Sequence, residues 1–532
     1  MGKSFLKLSE YLSYCLIAII FFLISQSSMD MWDGVVASYA SETGNHGGSR
    51  ISLFDAGWYL QYFIYKGLFW LESSIGIRFF TLSTLIAFIS TALLAREIFL
   101  FSNKVLRLEY YYSVRVLYFF VAFPVWQIFF SSIHLIFIIC TLFCFLGVRL
   151  ACTPQSILIK SLSFVIIALS FQLNSMLVLG PCLGYAYQLA GDNSQTKFWL
   201  PNKSTLFIFF LSTLTYLFLK VLFPSPLLLS HGYNSIINPF SSSENFLIIL
   251  GAIKSYATFF IILFAPFLVF FIINIFFRKN YVYDFSIYIK KNYLPFFIIS
   301  ILTAASMFSY IMVGKASVLS FDGIAGWGMR HSLVLATIFP MLLIMIFKAI
   351  SLGARTTKLS SFFLGLTLLL SFSFLTLGIA SKINRLQFQD DLIMLLKKEQ
   401  LKPGIVYFVF SDLSELPDPI LREYELNYTF YKVYEDKIDS LIFFVQDNSI
   451  LIQDKNLTSK EFTLLNNPAE TINIQLAKVY EPSLEPLQCK SLIAIKVSNF
   501  KGISNMIANS IGFRRGGIDL ELQSSRCSIA NK

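Results

Sequence analysis

The sequence predicts an all-α polytopic membrane bundle of about eleven spans, followed by a soluble α+β domain at its carboxyl end. Of its 532 residues, 56% are hydrophobic and only 14% are charged, with a mean hydropathy of +0.66. An average soluble domain has about 25% charged residues. Apolar stretches of the ~20 residues that cross a bilayer recur from Tyr11 to about Ala380. Alternating barrel-type segments are absent, so the spans must be helices.

The basic residues set the order of the spans across the membrane. The net charge of +11 could indicate a nucleic-acid partner, but the basic residues are spread over short loops between spans, which is typical of topology signals. We therefore expect no nucleic-acid partner and a cytoplasmic amino terminus. The basic residues that we place in the cytoplasm are Lys3, Lys7, Arg96, Lys104, Arg107, Arg115, Arg149, Lys160, Lys197, Lys203, Arg278, Lys279, Lys290, Lys291, Lys348, Arg355 and Lys358.

Two apolar segments decide the number of spans. Ser161 to Ala190 is long enough for one span or for two short ones, and only two short passes that turn near Asn174 keep every basic cluster on one side. By the same reasoning, Val116 to Leu150 divides at Ser131 and Ser132. The first span starts near Tyr11, and we treat it as a retained anchor. The remaining expected spans are Ile75 to Leu94, Thr205 to Phe223, Leu247 to Phe276, Leu294 to Val313, His331 to Ala349 and Ser361 to Ala380.

The composition changes after the last span, which divides the chain into a membrane domain, 1–380, and an extracytoplasmic domain, 381–532. An amphipathic helix is expected over Asn384 to Lys398 and a buried strand over Gly404 to Phe410. Cys489 and Cys527 form a disulfide or remain two thiols. Further expected strands are Ser440 to Val445, Ile450 to Ile452, Ile472 to Leu476 and Leu492 to Val497. The cysteines of the membrane domain have no other metal-ligating residues near them in the sequence. We therefore predict no metal site and no cofactor, with the use of a divalent metal as the alternative.

The candidate catalytic residues are Asp33, our first choice, and Asp30, just past the first span. Carboxylates are scarce in this chain, and a partly desolvated one at a membrane surface can accept a proton from an attacking hydroxyl. The alternative is that the two acids only mark where the span meets water.

Other residues on the expected external face complete the predicted site. A guanidinium at membrane-surface depth binds phosphate bidentately, so Arg330 is the main candidate for a donor phosphate, with snorkelling to headgroups as the alternative. The further phosphate-binding candidates are His331, Arg78 and Lys315. The candidate substrate-lining residues are Trp58 and Tyr59, in an expected interfacial helix, and His231 and Tyr233 in a later loop.

Two segments carry a family resemblance. Ser73 to Leu85, SSIGIRFFTLSTL, continuing to Ala95 to Phe99, AREIF, resembles the second-span region of polyprenyl-phosphate-sugar-dependent glycosyltransferases. These are the GT-C fold enzymes related to protein mannosyltransferases and aminoarabinose transferases. Met329 to Leu333, MRHSL, followed by Pro340, resembles their later Arg-His or Arg-Tyr span start. The family often has Asp-Glu in its first external loop, whereas Asp33 is followed by Gly34.

The resemblance implies an inverting hexosyltransferase-like enzyme of the bacterial cytoplasmic (inner) membrane. Its partners would be the bilayer, a polyprenyl-phosphate-linked sugar and an acceptor lipid, glycan or protein outside the cytoplasm. The external Asp would act as base while the lipid phosphate leaves. No Walker or Gly-x-Gly-x-x-Gly pattern occurs, in keeping with a donor that needs no nucleotide pocket. Two alternatives stay open: a polytopic transporter or flippase, and a polysaccharide polymerase or ligase that handles lipid-linked sugars.

Overall fold

The structure is a computed structural model, and it is helical through the apolar part of the chain. It describes residues 3–25, 30, 37–38, 58–153, 156–191, 203–222, 241–277, 281–312, 332–351, 357–398, 406–412, 429, 433, 442–445, 490–498, 503–510 and 517–523. The α-helices are α1 Lys3–Ser25, α2 Tyr59–Ile75, α3 Phe79–Lys104, α4 Tyr110–Val121, α5 Leu135–Cys152, α6 Ile157–Ser170, α7 Met176–Gly191, α8 Lys203–Leu222, α9 Ser243–Phe277, α10 Tyr281–Lys291, α11 Tyr293–Met312, α12 Leu333–Ser351, α13 Thr357–Lys398 and α14 Ile503–Ser510.

The described helices include eight that are long and apolar enough to cross a membrane. A ninth is possible if α4 and the 3₁₀ helix Pro124–Phe130, which meet at a bend of 46°, form one span. Helices α6 and α7 are apolar but shorter. Large apolar side chains such as Phe22, Phe207 and Phe276 are exposed on the outside of the bundle, as lipid-facing side chains would be. The structure therefore shows a bundle of apolar helices compatible with an integral membrane protein, while the expected total of eleven spans stays a prediction.

Contacts between helix ends show that the spans alternate in direction. Near the start of α1, the Ser9 and Tyr118 hydroxyl oxygens are 2.8 Å apart, and Lys348 at the end of α12 pairs with Glu109 before α4. Beyond the end of α1, Asp30 instead contacts Ser132. We name these two ends of the bundle the Lys3 end and the Asp30 end. The helices α1, α4, α6, α8, α11 and α13 begin at the Lys3 end, as the distribution of basic residues predicts.

Both predicted interruptions of the apolar runs are present. The chain leaves helical geometry at Ser131, between the 3₁₀ helices Pro124–Phe130 and Ser132–His134, and α6 and α7 are joined by a turn around Asn174. Ser and Asn favour such breaks because their side chains compete for backbone hydrogen bonds. The structure thus has two short helices, α6 and α7, where one long span was the alternative.

Helix α13 differs from the expected arrangement. A span ending at Ala380 and a separate amphipathic helix from Asn384 were expected, but Thr357–Lys398 is one continuous helix, so the boundary drawn at 380/381 falls inside it. At 1.5 Å per residue, its 42 residues extend about 60 Å, twice the ~30 Å hydrocarbon core. The part of α13 beyond residue 380 packs on α14, where the Gln387 amide donates to the Asn509 carbonyl.

The described strands after α13 are β1 Val406–Asp412, β2 Ile442–Val445, β3 Lys490–Ser498 and β4 Gly517–Gln523. They form one sheet in the order β2-β1-β3-β4. Strand β1 is parallel to both of its neighbours, with Tyr407 opposite Ile442 of β2 and Val406 opposite Lys490 of β3. Strands β3 and β4 are antiparallel, with Leu492 opposite Gln523. That this region forms an independent soluble α+β domain stays a prediction. The expected strands at 450–452 and 472–476 and both carboxyl-terminal cysteines lie outside the described residues.

Candidate functional site

Asp30 is buried at the Asp30 end of the bundle, with 1% of its surface exposed. Its Oδ1 accepts a hydrogen bond from the Ser132 backbone N–H at 3.0 Å. Its Oδ2 accepts from the Ser132 hydroxyl at 2.5 Å and from the Ser38 hydroxyl at 3.0 Å. A carboxylate offers about four lone-pair positions, so at least three are occupied by these donors. Asp30 therefore does not merely mark the point where the first span meets water.

The contact with Asp30 satisfies a backbone that has left helical geometry. Inside a membrane protein, each unpaired backbone group at such a break costs free energy, so side chains must replace the missing helical bonds. Asp30 accepts from the Ser132 N–H, and the Tyr65 hydroxyl donates to the Ser132 carbonyl at 2.7 Å. The Gln61 amide donates to the Ile133 carbonyl at 2.9 Å. A negative charge before the start of α5 is also favoured by the helix dipole.

Helix α2 supplies Gln61 and Tyr65 and carries the two aromatic residues predicted to line a substrate. Tyr59, Gln61 and Tyr65 are buried, and Trp58 packs on Phe137 with ring centres 5.9 Å apart. A helix is therefore present where an interfacial one was expected, and one of its faces is packed into the bundle. That packing fixes α2 against the break at Ser131.

Lys220, at the last turn of α8, lies over two aromatic rings at this end of the bundle. Its Nζ is 5.9 Å from the ring centre of Tyr59 and 5.6 Å from that of Tyr216. The Tyr216 hydroxyl donates to Asn174 Oδ1 at 2.6 Å, which ties α8 to the turn between α6 and α7. Among the described residues, no carboxylate pairs with Lys220. Helix α2 thus links the lysine to the Asp30 carboxylate indirectly: its Tyr59 lies under Lys220, and its Tyr65 donates to the carbonyl of Ser132, whose N–H donates to Asp30.

Two further cations lie on one stripe of α13. These cations are Lys382 and Arg385. They share one face of the helix with Gly378 and Gln389, because the four residues follow one another at spacings of four, three and four. A Cβ on Gly378 would overlap the side chain of Gln127 in the 3₁₀ helix that leads to Ser131, so this stripe faces that 3₁₀ helix. Lys382 and Arg385, about 6 and 10 Å farther along the helix axis, are 0% and 1% exposed.

Sequence reasoning missed these cations for identifiable reasons. In the sequence, Lys220 follows a long apolar run, which is typical of the end of an ordinary span. Lys382 and Arg385 lie where the sequence becomes polar, which is typical of the start of a soluble segment. A partly buried ion pair at the Lys3 end was also missed: Arg149 donates to both oxygens of Glu97, at 2.6 and 2.9 Å. The spacing of Lys382 and Arg385 by three residues was the one available signal that they share a face.

The predicted site residues fall into two groups. Asp30, Trp58 and Tyr59 lie at the Asp30 end in the arrangement above, and Arg78 is exposed at the residue before α3. The others lie outside the described residues; they are Asp33, His231, Tyr233, Lys315, Arg330 and His331. Among the described residues, no group of three or more His, Cys, Asp or Glu side chains could hold a metal ion.

Chemically, the Asp30 end thus presents a lysine that lies over two aromatic rings and a carboxylate held by hydrogen bonds to Ser132 and Ser38. Comparison of the chain with protein-family models, with curated proteins and with solved structures gives no match.

Proposed function

We propose that this protein is a membrane glycosyltransferase, which moves a sugar from a polyprenyl-phosphate carrier to an acceptor outside the cytoplasm with inversion at the anomeric carbon. One observation carries the proposal: a buried carboxylate, Asp30, and a lysine without a carboxylate partner among the described residues, Lys220, are connected through one aromatic helix at the Asp30 end. The reaction requires a phosphate-binding cation and an apolar platform, which Lys220 and the aromatic rings of this helix would supply, and a base, which we assign to Asp33 rather than to Asp30.

The two aspartates have different roles in this proposal. Asp30 is a positioning residue, because its oxygens are occupied by Ser132 and Ser38 and it holds the end of the first span against the break at Ser131. Asp33, three residues later in the chain, is the base. Its carboxylate accepts the proton of the acceptor hydroxyl as the hydroxyl oxygen attacks the anomeric carbon.

The leaving group is the lipid phosphate. As the new bond forms, the bond between the anomeric carbon and the phosphate oxygen breaks, and the phosphate keeps the electron pair. Fixed cations stabilise this developing charge best in a site that excludes water. Lys220 is our first choice among the described residues, and Lys382, Arg385 and the predicted Arg330 are the further candidates. Tyr59, which already packs under Lys220, would contact the sugar or the first isoprene unit.

The proposal is tested by measuring sugar transfer from radiolabelled polyprenyl-phosphate sugar in membranes that contain equal amounts of each variant. We expect Asp33→Asn to abolish transfer at normal expression. Lys220→Met should reduce transfer by about tenfold or more, since a lost charge-assisted hydrogen bond costs about 1.5–3 kcal/mol. The matched control is Lys66→Met, because Lys66 lies 5.3 Å from the ring centre of Tyr62 on the exposed side of α2.

Two results would contradict the proposal. Full transfer by Asp33→Asn would remove the base. Equal losses for Lys66→Met and Lys220→Met would show that the position of Lys220 is not what matters. Transfer by Asp30→Asn should fall in step with its loss of folded protein, as expected for a positioning residue.

The two alternative functions predict other products. A flippase would move the lipid-linked sugar across the bilayer without breaking the bond between sugar and phosphate. A polymerase or ligase would join glycans into longer chains. Release of free polyprenyl phosphate together with a singly extended acceptor distinguishes a glycosyltransferase from both.

A further inference from the structure

A cavity of about 250 Å³ opens between α1, α4 and α13 at the Lys3 end of the bundle. It is far from the Asp30 end, because Ser9 in its wall and Ser25 at the end of α1 are separated by sixteen residues, about 24 Å of helix. Since liquid water occupies about 30 Å³ per molecule, the cavity can hold a small polar headgroup. Its lining residues include Ser9, Arg115, Tyr118, Ser361, Gly365 and Leu368.

Arg115 is the charged residue in the wall of this cavity. Its guanidinium carbon lies 3.8 Å from the ring centre of Tyr111 and 5.7 Å from that of Phe347, so the group packs against aromatic rings. Among the described residues, Arg115 has neither an ion pair nor a hydrogen-bond acceptor. A guanidinium has five N–H donors, and leaving them unpaired away from bulk water is costly. The donors therefore need an acceptor inside the cavity.

The surroundings select an anion as that acceptor. The cavity lining contains no carboxylate. The nearest acids on these helices are already engaged: Glu10 accepts from the Tyr110 hydroxyl, and Glu109 pairs with Lys348 at 3.1 Å. Hydroxyl groups of Ser9, Tyr118 and Ser361 line the same space. Lys358, three residues before Ser361, lies on the same face of α13 and nearer to the helix start.

We propose that this cavity binds the phosphate of an anionic phospholipid from the leaflet at the Lys3 end. The phosphate oxygens accept hydrogen bonds from Arg115, and the acyl chains pass out along the apolar side chains of α13, beginning with Leu364 and Leu368. An inorganic phosphate offers the same oxygens but no acyl chain. The site goes beyond the proposed transferase reaction, which is placed at the opposite end of the bundle.

The test measures binding of phosphatidylglycerol to the delipidated full-length protein by native mass spectrometry. Diacylglycerol with the same acyl chains lacks the phosphate, and inorganic phosphate lacks the chains. We expect one phosphatidylglycerol to bind at least about tenfold more tightly than diacylglycerol, and Arg115→Gln to remove that preference. The matched control is Arg96→Gln, an exposed cation of α3 that lines no part of the cavity.

A second variant tests the cavity without touching the charge. An added Cβ at Gly365 has no atom within 4 Å, so Gly365→Phe should fill the cavity and abolish the preference while Arg115 stays in place. The control is Gly251→Phe, because Gly251 on α9 has equally open surroundings away from the cavity. Unchanged phosphatidylglycerol binding by both Arg115→Gln and Gly365→Phe would overturn the proposal. So would displacement of the lipid by an equal concentration of inorganic phosphate.

Discussion

Replacement of Asp30 by Ala tests whether this residue holds the break between the two spans. The change removes the acceptor for the Ser132 N–H, the Ser132 hydroxyl and the Ser38 hydroxyl. Each buried donor left without an acceptor costs about 1–3 kcal/mol. The hydroxyls can turn to nearby carbonyls, as Ser170 does toward the Ile167 carbonyl, but the Ser132 N–H cannot.

The expected magnitude follows from that difference. The orphaned amide contributes about 1–3 kcal/mol, and the two weakened hydroxyl bonds together add roughly 1 kcal/mol, so Asp30→Ala should lower the free energy of unfolding by about 2–4 kcal/mol. The assay is reversible unfolding in mixed micelles, followed by tryptophan fluorescence. A matched acid control is Asp284→Ala, an exposed residue of α10, which should stay within about 0.5 kcal/mol of wild type.

A double-mutant cycle with Ser132→Ala isolates the contact itself. Because Asp30 and Ser132 share a direct bond, the two changes should be non-additive by about 1 kcal/mol. An Asp30→Ala protein as stable as the Asp284→Ala control, or a cycle with no coupling, would refute the structural role assigned to Asp30.

Two other predictions concern packing away from the site. Glu97→Gln and Arg149→Met should each destabilise the fold by about 1–3 kcal/mol, because each leaves one charge of a partly buried pair without its partner. The double variant should lose less than the sum of the two, and additive losses in chemical unfolding would contradict this. Gly184→Ala should cost about 1–3 kcal/mol because its Cβ would lie 2.6 Å from the ring of Phe209, whereas Gly251→Ala, in open space, should be neutral or stabilising. Equal thermal stability of the two glycine variants would show that α7 and α8 do not approach so closely.

The helical part of the fold is predictable because membrane spans have a strong local signal. Hydropathy over about 20 residues identifies the spans, and Ser131 and Asn174 interrupt apolar runs with residues that favour turns. The continuity of α13 was not predictable in the same way. Its polar second half resembles a surface helix, and its burial depends on α14, more than a hundred residues later.

The candidate site was predictable only in part. The rarity of acids drew attention to Asp30 and Asp33, and the aromatic run drew attention to Tyr59. The partners of Asp30 were not predictable, because Ser132 is 102 residues away and nothing local distinguishes it from other serines. Lys220 was missed because a lysine at the end of a span is ordinarily a membrane-surface anchor, and only the fold shows the tyrosines beneath it.

The proposed transfer reaction can be measured by following the fate of the donor lipid in vesicles that contain the purified protein. The protein is reconstituted in vesicles with a polyprenyl-phosphate sugar labelled in the sugar, and a membrane extract supplies the acceptor. Wild type should release one free polyprenyl phosphate for each labelled sugar joined to acceptor, and Asp33→Asn should release none above background. Movement of intact labelled lipid across the vesicle membrane, with no cleavage of the bond between sugar and phosphate, would contradict a transferase function.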